Sequence, residues 1–290
     1  MVSRLTPILL GGAVLALATV TACSPVEDDT TTSTSPSASV NPCPSGALTG
    51  TVTAGKITIG TDNPAYEPWF KDNKPDNGQG FESAVAYKVA ERLGYTKEQV
   101  VWTSVTFNNA IAPGPKTFDF DINQFSVTDE RKQAVDFSSP YYLVRQTVIT
   151  TEKSKIAGAK SLADLNGAKL GAQVGTTSYQ AVTDIIKPAA KPLVYNTNDD
   201  AKAALENGTV DGIVVDLPTA FYMTGAELKD GVILGQLPQV GVPEQFGLVL
   251  DKGSKLTGCV SAAVDQLRQD GTLAEQEKTW LADAGAPELR

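Results

Sequence analysis

The sequence lacks histidine altogether and holds only three cysteines in 290 residues. Without imidazole, the Ser-His and Cys-His nucleophile pairs and histidine-ligated zinc sites are excluded. Carboxylate and lysine chemistry remain open, so this absence argues against an enzyme without excluding one. We expect neither a metal ion nor a cofactor.

Basic residues are scarce, since 24 Lys and Arg face 33 Asp and Glu for a formal net charge of −9. The Lys and Arg residues form no cluster that could neutralise a run of phosphates, so nucleic acid is not an expected partner. The negative charge is more simply a means of keeping the protein soluble. Hydrophobic residues make up 41% of the chain, which is enough for a substantial core.

Long apolar runs occur only near the N-terminus, where Arg4 precedes the apolar and small residues 8–20. A charged start followed by a short apolar stretch is typical of a signal peptide, which we expect over residues 1–22. A membrane anchor helix is the alternative, but the stretch is shorter than the roughly 20 residues that span a bilayer. The sequence Val20-Thr21-Ala22-Cys23 resembles a bacterial lipobox. It predicts a lipid on Cys23, palmitate included, that holds the exported protein on the outer face of the cell membrane.

Residues 24–45 are rich in Ser, Thr, Pro and Asp. Such a segment cannot bury enough apolar surface to offset the entropy of ordering it, so it is expected to be a flexible tether. We predict that the lipidated tether runs over residues 23–54 and that order begins near Gly55.

Two cysteines remain once Cys23 carries lipid, namely Cys43 and Cys259. The signal peptide sends both to an oxidising compartment, where two remaining cysteines usually pair. A Cys43–Cys259 disulfide is therefore predicted, with two free thiols as the alternative.

Strand and helix patterns alternate along the rest of the chain. Strands are predicted at 56–60, 100–102, 118–125, 147–151, 169–174, 212–215 and 246–250. Helices are predicted at 82–93, 198–207 and 261–282, the last with a break near Gly271. This order indicates an α/β protein with mainly parallel sheets flanked by helices. We expect residues 56–149 and 245–290 to form one lobe and residues 150–244 a second.

Six segments, in the same order, resemble the family 3 extracellular solute-binding proteins, the polar amino acid binders of ABC importers. They are 59–68 with 80–82, 125–131, 135–141, 175–177, 210–216 and 270–280. The resemblance implies a two-lobe, periplasmic-binding-protein-like fold of type II, in which two crossing strands join the lobes and the ligand lies in the cleft. It also implies a monomer whose partners are a small polar amino acid and the permease subunits of an ABC transporter.

The resemblance further assigns the two charged residues that would hold an amino acid zwitterion. Arg131 matches the arginine that binds the α-carboxylate, a task that suits the forked guanidinium. Its alternative role is a surface charge in the run 129–132. Asp216 matches the carboxylate that binds the α-ammonium, and helix N-capping is its alternative role.

The remaining predicted ligand contacts also come from the resemblance. Thr176 and Thr177 match a pair at a helix start that donates to the carboxylate, with capping alone as the alternative. Gln124 is expected to act through its main chain, and Phe107 is as easily a core residue as a ligand contact. The other predicted contacts are Asp62, Tyr66, Asn123, Ser126 and Gln173.

The side chain of the ligand is less well determined. The matched segments that would form the pocket offer no Lys or Arg besides Arg131, whereas Asp62 and Glu67 favour a positive or neutral polar side chain. Two other functions stay open: a cyclohexadienyl or arogenate dehydratase-like enzyme on the same fold, and a ligand-sensing ectodomain. A sensor would need a transmembrane helix and a cytoplasmic output, and the chain ends at Arg290 without either.

Overall fold

The computed structural model describes residue 43 and residues 48–281 and 285–290. The predicted signal peptide, Cys23 and most of the predicted tether lie outside the described residues, so these interpretations stay predictions. Within the part of the chain that the structure describes, no helix combines the length and the apolarity needed to cross a bilayer.

The strands are short and rich in β-branched and aromatic residues. They are β1 (Ile57–Thr61), β2 (Val100–Ser104), β3 (Phe120–Asp121), β4 (Val135–Phe137), β5 (Tyr142–Leu143), β6 (Gln146–Thr151), β7 (Leu170–Gln173), β8 (Leu193–Tyr195), β9 (Gly212–Asp216), β10 (Gly231–Gln236), β11 (Gln245–Phe246) and β12 (Val249–Asp251).

The α-helices vary from one turn to more than three. They are α1 (Phe81–Arg92), α2 (Phe107–Ile111), α3 (Arg131–Ala134), α4 (Thr177–Ala181), α5 (Asn198–Glu206), α6 (Leu217–Tyr222), α7 (Thr257–Gln269) and α8 (Thr272–Trp280). Helices α4 and α6 continue into π-helical turns at Val182–Ile186 and Met223–Glu227, and 3-10 turns lie at Lys71–Asn73, Pro75–Asn77, Lys97–Gln99 and Ala163–Leu165.

The first sheet has the strand order β2-β1-β3-β12-β4. Strand β1 is parallel to β2 and β3, whereas β12 runs antiparallel to β3 and β4. All five residues of β1 are buried, and the side chains of Ile57 and Ile59 belong to the largest core of the described residues. Helices α1, α7 and α8 pack on one another over this core.

The second sheet has the order β10-β6-β9-β7-β8. Strand β7 is parallel to β8 and β9, whereas β6 is antiparallel to β9 and β10. The predicted α/β class with mainly parallel, helix-flanked sheets is therefore confirmed, since four strands of each sheet share one direction and only β12 in the first and β6 in the second run against them. The antiparallel strands are those by which the chain enters the second sheet and returns to the first.

Two segments connect the sheets side by side. One runs from β4 through β5 to β6, the other from β10 through β11 to β12, and β5 pairs antiparallel with β11. The predicted lobe boundary at 149/150 cuts through β6, all of which pairs in the second sheet. The first crossing therefore lies ahead of Gln146.

The end of the predicted tether is packed against the first lobe rather than free. Leu48 is 6% exposed, and its backbone N–H donates to the Tyr95 hydroxyl at 3.1 Å. The backbone N–H of Val52 donates to the Asp119 carboxylate at 2.7 Å. The ordered structure thus begins before Gly55, because these hydrogen bonds and the disulfide of Cys43 attach the segment to the first lobe.

Cys43 and Cys259 are joined by a disulfide, with their Cα atoms 5.4 Å apart. Cys43 is 6% exposed and belongs to the first core, and Cys259 lies on α7. The bond therefore links the segment ahead of β1 to a helix from the far end of the chain.

The C-terminal residues belong to the second lobe, in contrast to the predicted assignment of 245–290 to the first. Leu289 is 1% exposed and lies in the second core beside Leu234 and Leu237. Its backbone N–H donates to the Gln236 carbonyl at 2.9 Å, and the Gln236 N–H donates to the Pro287 carbonyl at 2.7 Å. The apolar side chain and this short ladder draw residues 285–290 across to β10.

Candidate functional site

A cavity of about 520 Å³, counted with the open solvent at its mouth, lies where the ends of β1, β3, β7 and β9 meet. Only about 40 Å³ of this space can hold the centre of a water-sized molecule, so the cleft is nearly closed in this structure. It is lined by Asp62, Tyr66, Phe107, Asn123, Gln124, Arg131, Gln173, Thr176, Thr177, Ser178, Asn198, Val215 and Asp216. Every predicted ligand residue except Ser126 is in this lining, so the structure brings together residues from both sheets.

Arg131 is buried, although its neighbours Asp129, Glu130 and Lys132 are exposed. Its guanidinium donates to the Ser126 carbonyl at 2.7 Å and to the Gly175 carbonyl at 2.9 Å. A guanidinium has five N–H donors, so three remain for another acceptor. The alternative role as a surface charge is therefore wrong.

The electrostatic surroundings of Arg131 keep it ionised. Burial lowers the pKa of the guanidinium, whereas the negative charges of Glu244 and Asp216 oppose that shift. Arginine stays protonated in proteins because its ordinary pKa lies above about 12. The cavity therefore contains a fixed positive charge that lies 5.3 Å from the centre of the Phe107 ring.

Asp216 ends β9 and immediately precedes α6, where it occupies the N-cap position. Its side chain makes no capping hydrogen bond, and one carboxylate oxygen instead accepts from the Gln146 amide at 2.8 Å. Desolvation raises the pKa of Asp216 well above its usual value, and the charge of Glu244 adds to the rise, while Arg131 opposes it. The alternative role as a helix cap is therefore not what this side chain performs.

The two threonines differ in what they do. The Thr176 hydroxyl caps α4 by accepting from the Tyr179 N–H at 3.2 Å, and it donates to the Gln173 carbonyl at 2.7 Å. The Thr177 hydroxyl lies 3.1 Å from that of Ser126, which connects the second sheet's helix to the first lobe. Capping is thus realised at Thr176, whereas the Thr177 hydroxyl is bonded to Ser126 and accepts from the Gln146 amide at 3.4 Å.

Asp62 and Phe107 are coupled to each other. One oxygen of Asp62 accepts from the Phe107 backbone N–H at 3.0 Å, so the carboxylate fixes the start of α2. The Phe107 ring stacks on Phe125 with centroids 4.8 Å apart and still lines the cavity. Phe107 is therefore both a core residue and part of the cavity wall.

Gln124 has a positive φ of 48° and is tied to Glu82. Its backbone N–H donates to one carboxylate oxygen at 2.7 Å, and its side-chain amide donates to the other. The Tyr141 hydroxyl donates to the same carboxylate. Burial raises the pKa of Glu82 to about 7, although these three hydrogen bonds lower it. Both the backbone N–H and the side-chain NH₂ group of Gln124 thus donate to Glu82.

Several residues at the site were not predicted from the sequence. Ser178, Asn198 and Val215 line the cavity, while Gln146 and Glu244 lie just behind it. Ser178 directly follows the matched segment 175–177 and Val215 lies within the segment 210–216, so the resemblance pointed to the neighbourhood of both without naming them. Glu244 lies outside every matched segment, and no local pattern marked it or Gln146.

The charges of the lining are unequal. Asp62 and Asp216 are its acids, and Arg131 is its one cation among the described residues. Tyr66 adds a phenol whose pKa is raised by burial and then by the charge of Asp199. The described residues contain no cluster of three or more acids or cysteines placed to hold a metal ion.

The chain is similar to known binding proteins over most of its length. Residues 57–283 match the family described as bacterial extracellular solute-binding proteins, family 3. An L-arginine-binding protein of Pseudomonas aeruginosa is 32% identical over 229 residues, which cover 76% of this chain and 86% of that protein.

Two solved structures share the fold. An ancestral arginine-binding protein bound to arginine is 29% identical, with a TM-score of 0.65 over 79% of this chain and 99% of that chain. An ancestral amino acid-binding protein that is a precursor of cyclohexadienyl dehydratase is 31% identical, with a TM-score of 0.64 over 79% of this chain and 96% of that chain.

Proposed function

We propose that this chain, which belongs to the bacterial extracellular solute-binding proteins of family 3, captures an amino acid with a positively charged side chain and delivers it to an ABC importer. The observation that carries the proposal is a buried guanidinium and a half-buried carboxylate in the lining of one cavity. An amino acid zwitterion offers the matching pair, a carboxylate for Arg131 and an ammonium for Asp216. The three N–H groups that Arg131 leaves unused suit a bidentate carboxylate.

The proposed ligand side chain follows from the charges that remain. Arg131 and Asp216 balance the two charges of the zwitterion, which leaves Asp62 as the next acid of the lining. Each carboxylate oxygen can accept more than one hydrogen bond, so Asp62 can bind a ligand cation while it holds Phe107. An acidic side chain would meet no second cation among the lining residues described. The arginine bound by two of the similar proteins supports the same choice.

Cleft closure is the proposed mode of capture. Among the described residues, hydrogen bonds already join the two lobes: the Trp69 indole N–H donates to the Thr219 hydroxyl at 2.9 Å, Arg131 donates to the Gly175 carbonyl at 2.9 Å, and Ser126 and Thr177 share a bond of 3.1 Å. The paired crossing strands β5 and β11 are the natural place for bending. A ligand that binds both lobes would favour the closed form by its differential affinity for it.

The proposal includes what the protein does outside the cavity. It is a monomer that is held to the outer face of the membrane by lipid on Cys23, and its macromolecular partners are the permease subunits of the importer. It is a binding protein rather than an enzyme. The similar precursor of a dehydratase makes enzymatic activity the second candidate, which release of phenylpyruvate or phenylalanine from prephenate or arogenate would reveal.

Calorimetric titration of the purified protein with L-arginine, L-lysine, L-glutamine and L-glutamate tests the proposal. We expect the cationic amino acids to bind most tightly and L-glutamate least. Arg131→Ala should weaken binding about 30-fold or more, because truncating one partner of a buried charge pair costs about 2–5 kcal/mol. Lys132→Ala, which changes an exposed neighbour, is the matched control. A folded Arg131→Ala protein with unchanged affinity would remove Arg131 from the site.

A further inference from the structure

One side-chain amide bridges two carboxylates beside the cavity. The Gln146 NH₂ group donates to an Asp216 oxygen at 2.8 Å and to the Glu244 oxygens at 3.1 and 3.2 Å. Its carbonyl oxygen accepts from the Ser178 hydroxyl at 2.7 Å. A hydroxyl can donate or accept, whereas the carboxyl oxygens of the two acids act as acceptors, so it is the acids that orient the NH₂ group toward themselves and leave the amide oxygen toward Ser178.

Glu244 comes from the second crossing segment, just ahead of β11, and Gln146 begins β6 at the end of the first. Glu244 also accepts from the Ser126 hydroxyl at 2.5 Å. The cluster therefore joins the crossing segments to Asp216 on β9 and to Ser126 of the first lobe. Gln146 and Glu244 do not line the cavity, so they act through Asp216.

The charged groups that face Asp216 are unbalanced. Glu244 approaches from the crossing segment, Glu82 from α1 and Arg131 from α3, so two further carboxylates share one guanidinium with Asp216. The phenols of Tyr141 and Tyr142 also face Asp216; burial is the main reason that the pKa of both is raised, and the charge of Asp216 adds to the rise. Glu244 itself faces Arg131 as well as Asp216.

We propose that Gln146 and Glu244 are positioning residues of the amino-group subsite, and that a ligand ammonium binds Asp216 in exchange for a proton that Asp216 releases to solvent. This inference rests on the proposed function, since it describes the same site. In the empty closed cleft Asp216 carries its proton, so the cluster has one negative charge fewer than it would have with Asp216 ionised. On binding, the neutral carboxyl and the ligand ammonium become a carboxylate–ammonium pair, and one proton leaves.

The physical basis is that a proton and an ammonium compete for one carboxylate. Desolvation and then the charge of Glu244 raise the pKa of Asp216 in the empty site, which favours the proton. A ligand ammonium within hydrogen-bonding distance lowers that pKa again, because an opposite charge stabilises the ionised form. Affinity should therefore be complete above the pKa of Asp216 in the empty protein and decline as pH falls through it.

The two positioning residues should shift this pKa in opposite directions. Glu244→Gln removes a negative charge that raises the pKa of Asp216, so the loss of affinity should begin at lower pH. Gln146→Leu removes a hydrogen bond that lowers the pKa, so the loss should begin at higher pH. General damage to the fold would not produce opposite shifts.

The test is calorimetric titration with L-arginine, or with L-glutamine if arginine does not bind, in buffers of different ionisation enthalpy. The dependence of the heat on the buffer counts protons released per ligand, and a series from about pH 5 to 8 gives the pH profile. We expect release of up to one proton, and an affinity that falls by up to about tenfold per pH unit below the pKa of Asp216. Glu206→Gln, an exposed change on α5, should match the unaltered protein.

Each outcome bears on a different claim. Binding without proton exchange anywhere in this range would overturn the inference and leave the proposed function standing. Shifts of the same sign in Glu244→Gln and Gln146→Leu would overturn their assigned roles. Failure of all four amino acids to bind would overturn the proposed function and the inference with it.

Discussion

The bond between Cys43 and Cys259 should contribute strongly to the stability of the domain. The two cysteines are 216 positions apart, so the bond closes a very long loop in the unfolded chain. Chain-entropy arguments give about 5 kcal/mol for a loop of this length, and losses of about 2–5 kcal/mol are usual when a native disulfide is removed. We therefore expect Cys43→Ala/Cys259→Ala to lower the free energy of unfolding by about 2–5 kcal/mol.

Urea unfolding of this double variant and of the parent protein measures the difference, and both proteins should carry Cys23→Ala so that the other two thiols alone are counted. The denatured parent should show no free thiol before reduction. Neither cysteine lines the cavity, so ligand affinity should stay unchanged. Two titratable thiols in the denatured, unreduced parent, or equal stability of the two proteins, would refute this reasoning.

Two further predictions concern the two ends of the chain. Cys23→Ala should abolish incorporation of labelled fatty acid in growing cells, and label that persists on this variant would show that the anchor has been misassigned. Leu289→Ala should lower the free energy of unfolding by about 2–4 kcal/mol, since Leu289 is 1% exposed in the second core. Urea unfolding measures this loss, and Val240→Ala, at a position 73% exposed, is the control that should change little.

Local patterns predicted the main strands and helices near the site. The β-branched run before Asp62 gave β1, and the four-residue spacing from Phe81 to Leu93 gave α1 within one residue at each end. The strand predicted at 118–125 is only β3, because the chain turns at Asn123 and Gln124 to form the cavity wall. Helix α2 was not predicted from the sequence, and its start is stabilised by Asp62. That stabilising carboxylate lies 45 positions away, beyond the reach of a local pattern.

The packed ends of the domain were missed for a related reason. Residues 48–54 mix threonine and glycine with scattered apolar residues and carry no periodic pattern, yet their backbone groups are held by Tyr95 and Asp119. Residues 285–290 follow the last helix of the first lobe, but they lie against the second lobe. They do so because one apolar side chain, Leu289, packs beside β10 in the second core. Single long-range contacts of this kind leave no signal in composition or spacing.

The resemblance to a family was most informative where a residue would touch the ligand directly. It placed Arg131 and Asp216 in one cavity, although local sequence favoured a surface charge for the first. It carried no information on the groups that set the charge state of those residues. Gln146 and Glu244 come from the two crossing segments, which approach each other only when β5 and β11 pair.

The position of this cluster also bears on how binding and closure are connected. Any change in the angle between the lobes must pass through the segments that hold Gln146 and Glu244, so opening would alter the surroundings of Asp216 even without a ligand. An open cleft should hydrate Asp216 and lower its pKa, while closure without a ligand should raise it. Closing the empty site at neutral pH therefore costs either a proton taken from solvent or an unpaired carboxylate in a desolvated site. On the proposed mode of binding, a ligand ammonium would remove that cost, so the cluster beside the crossing segments would favour closure on a ligand over closure on an empty cleft.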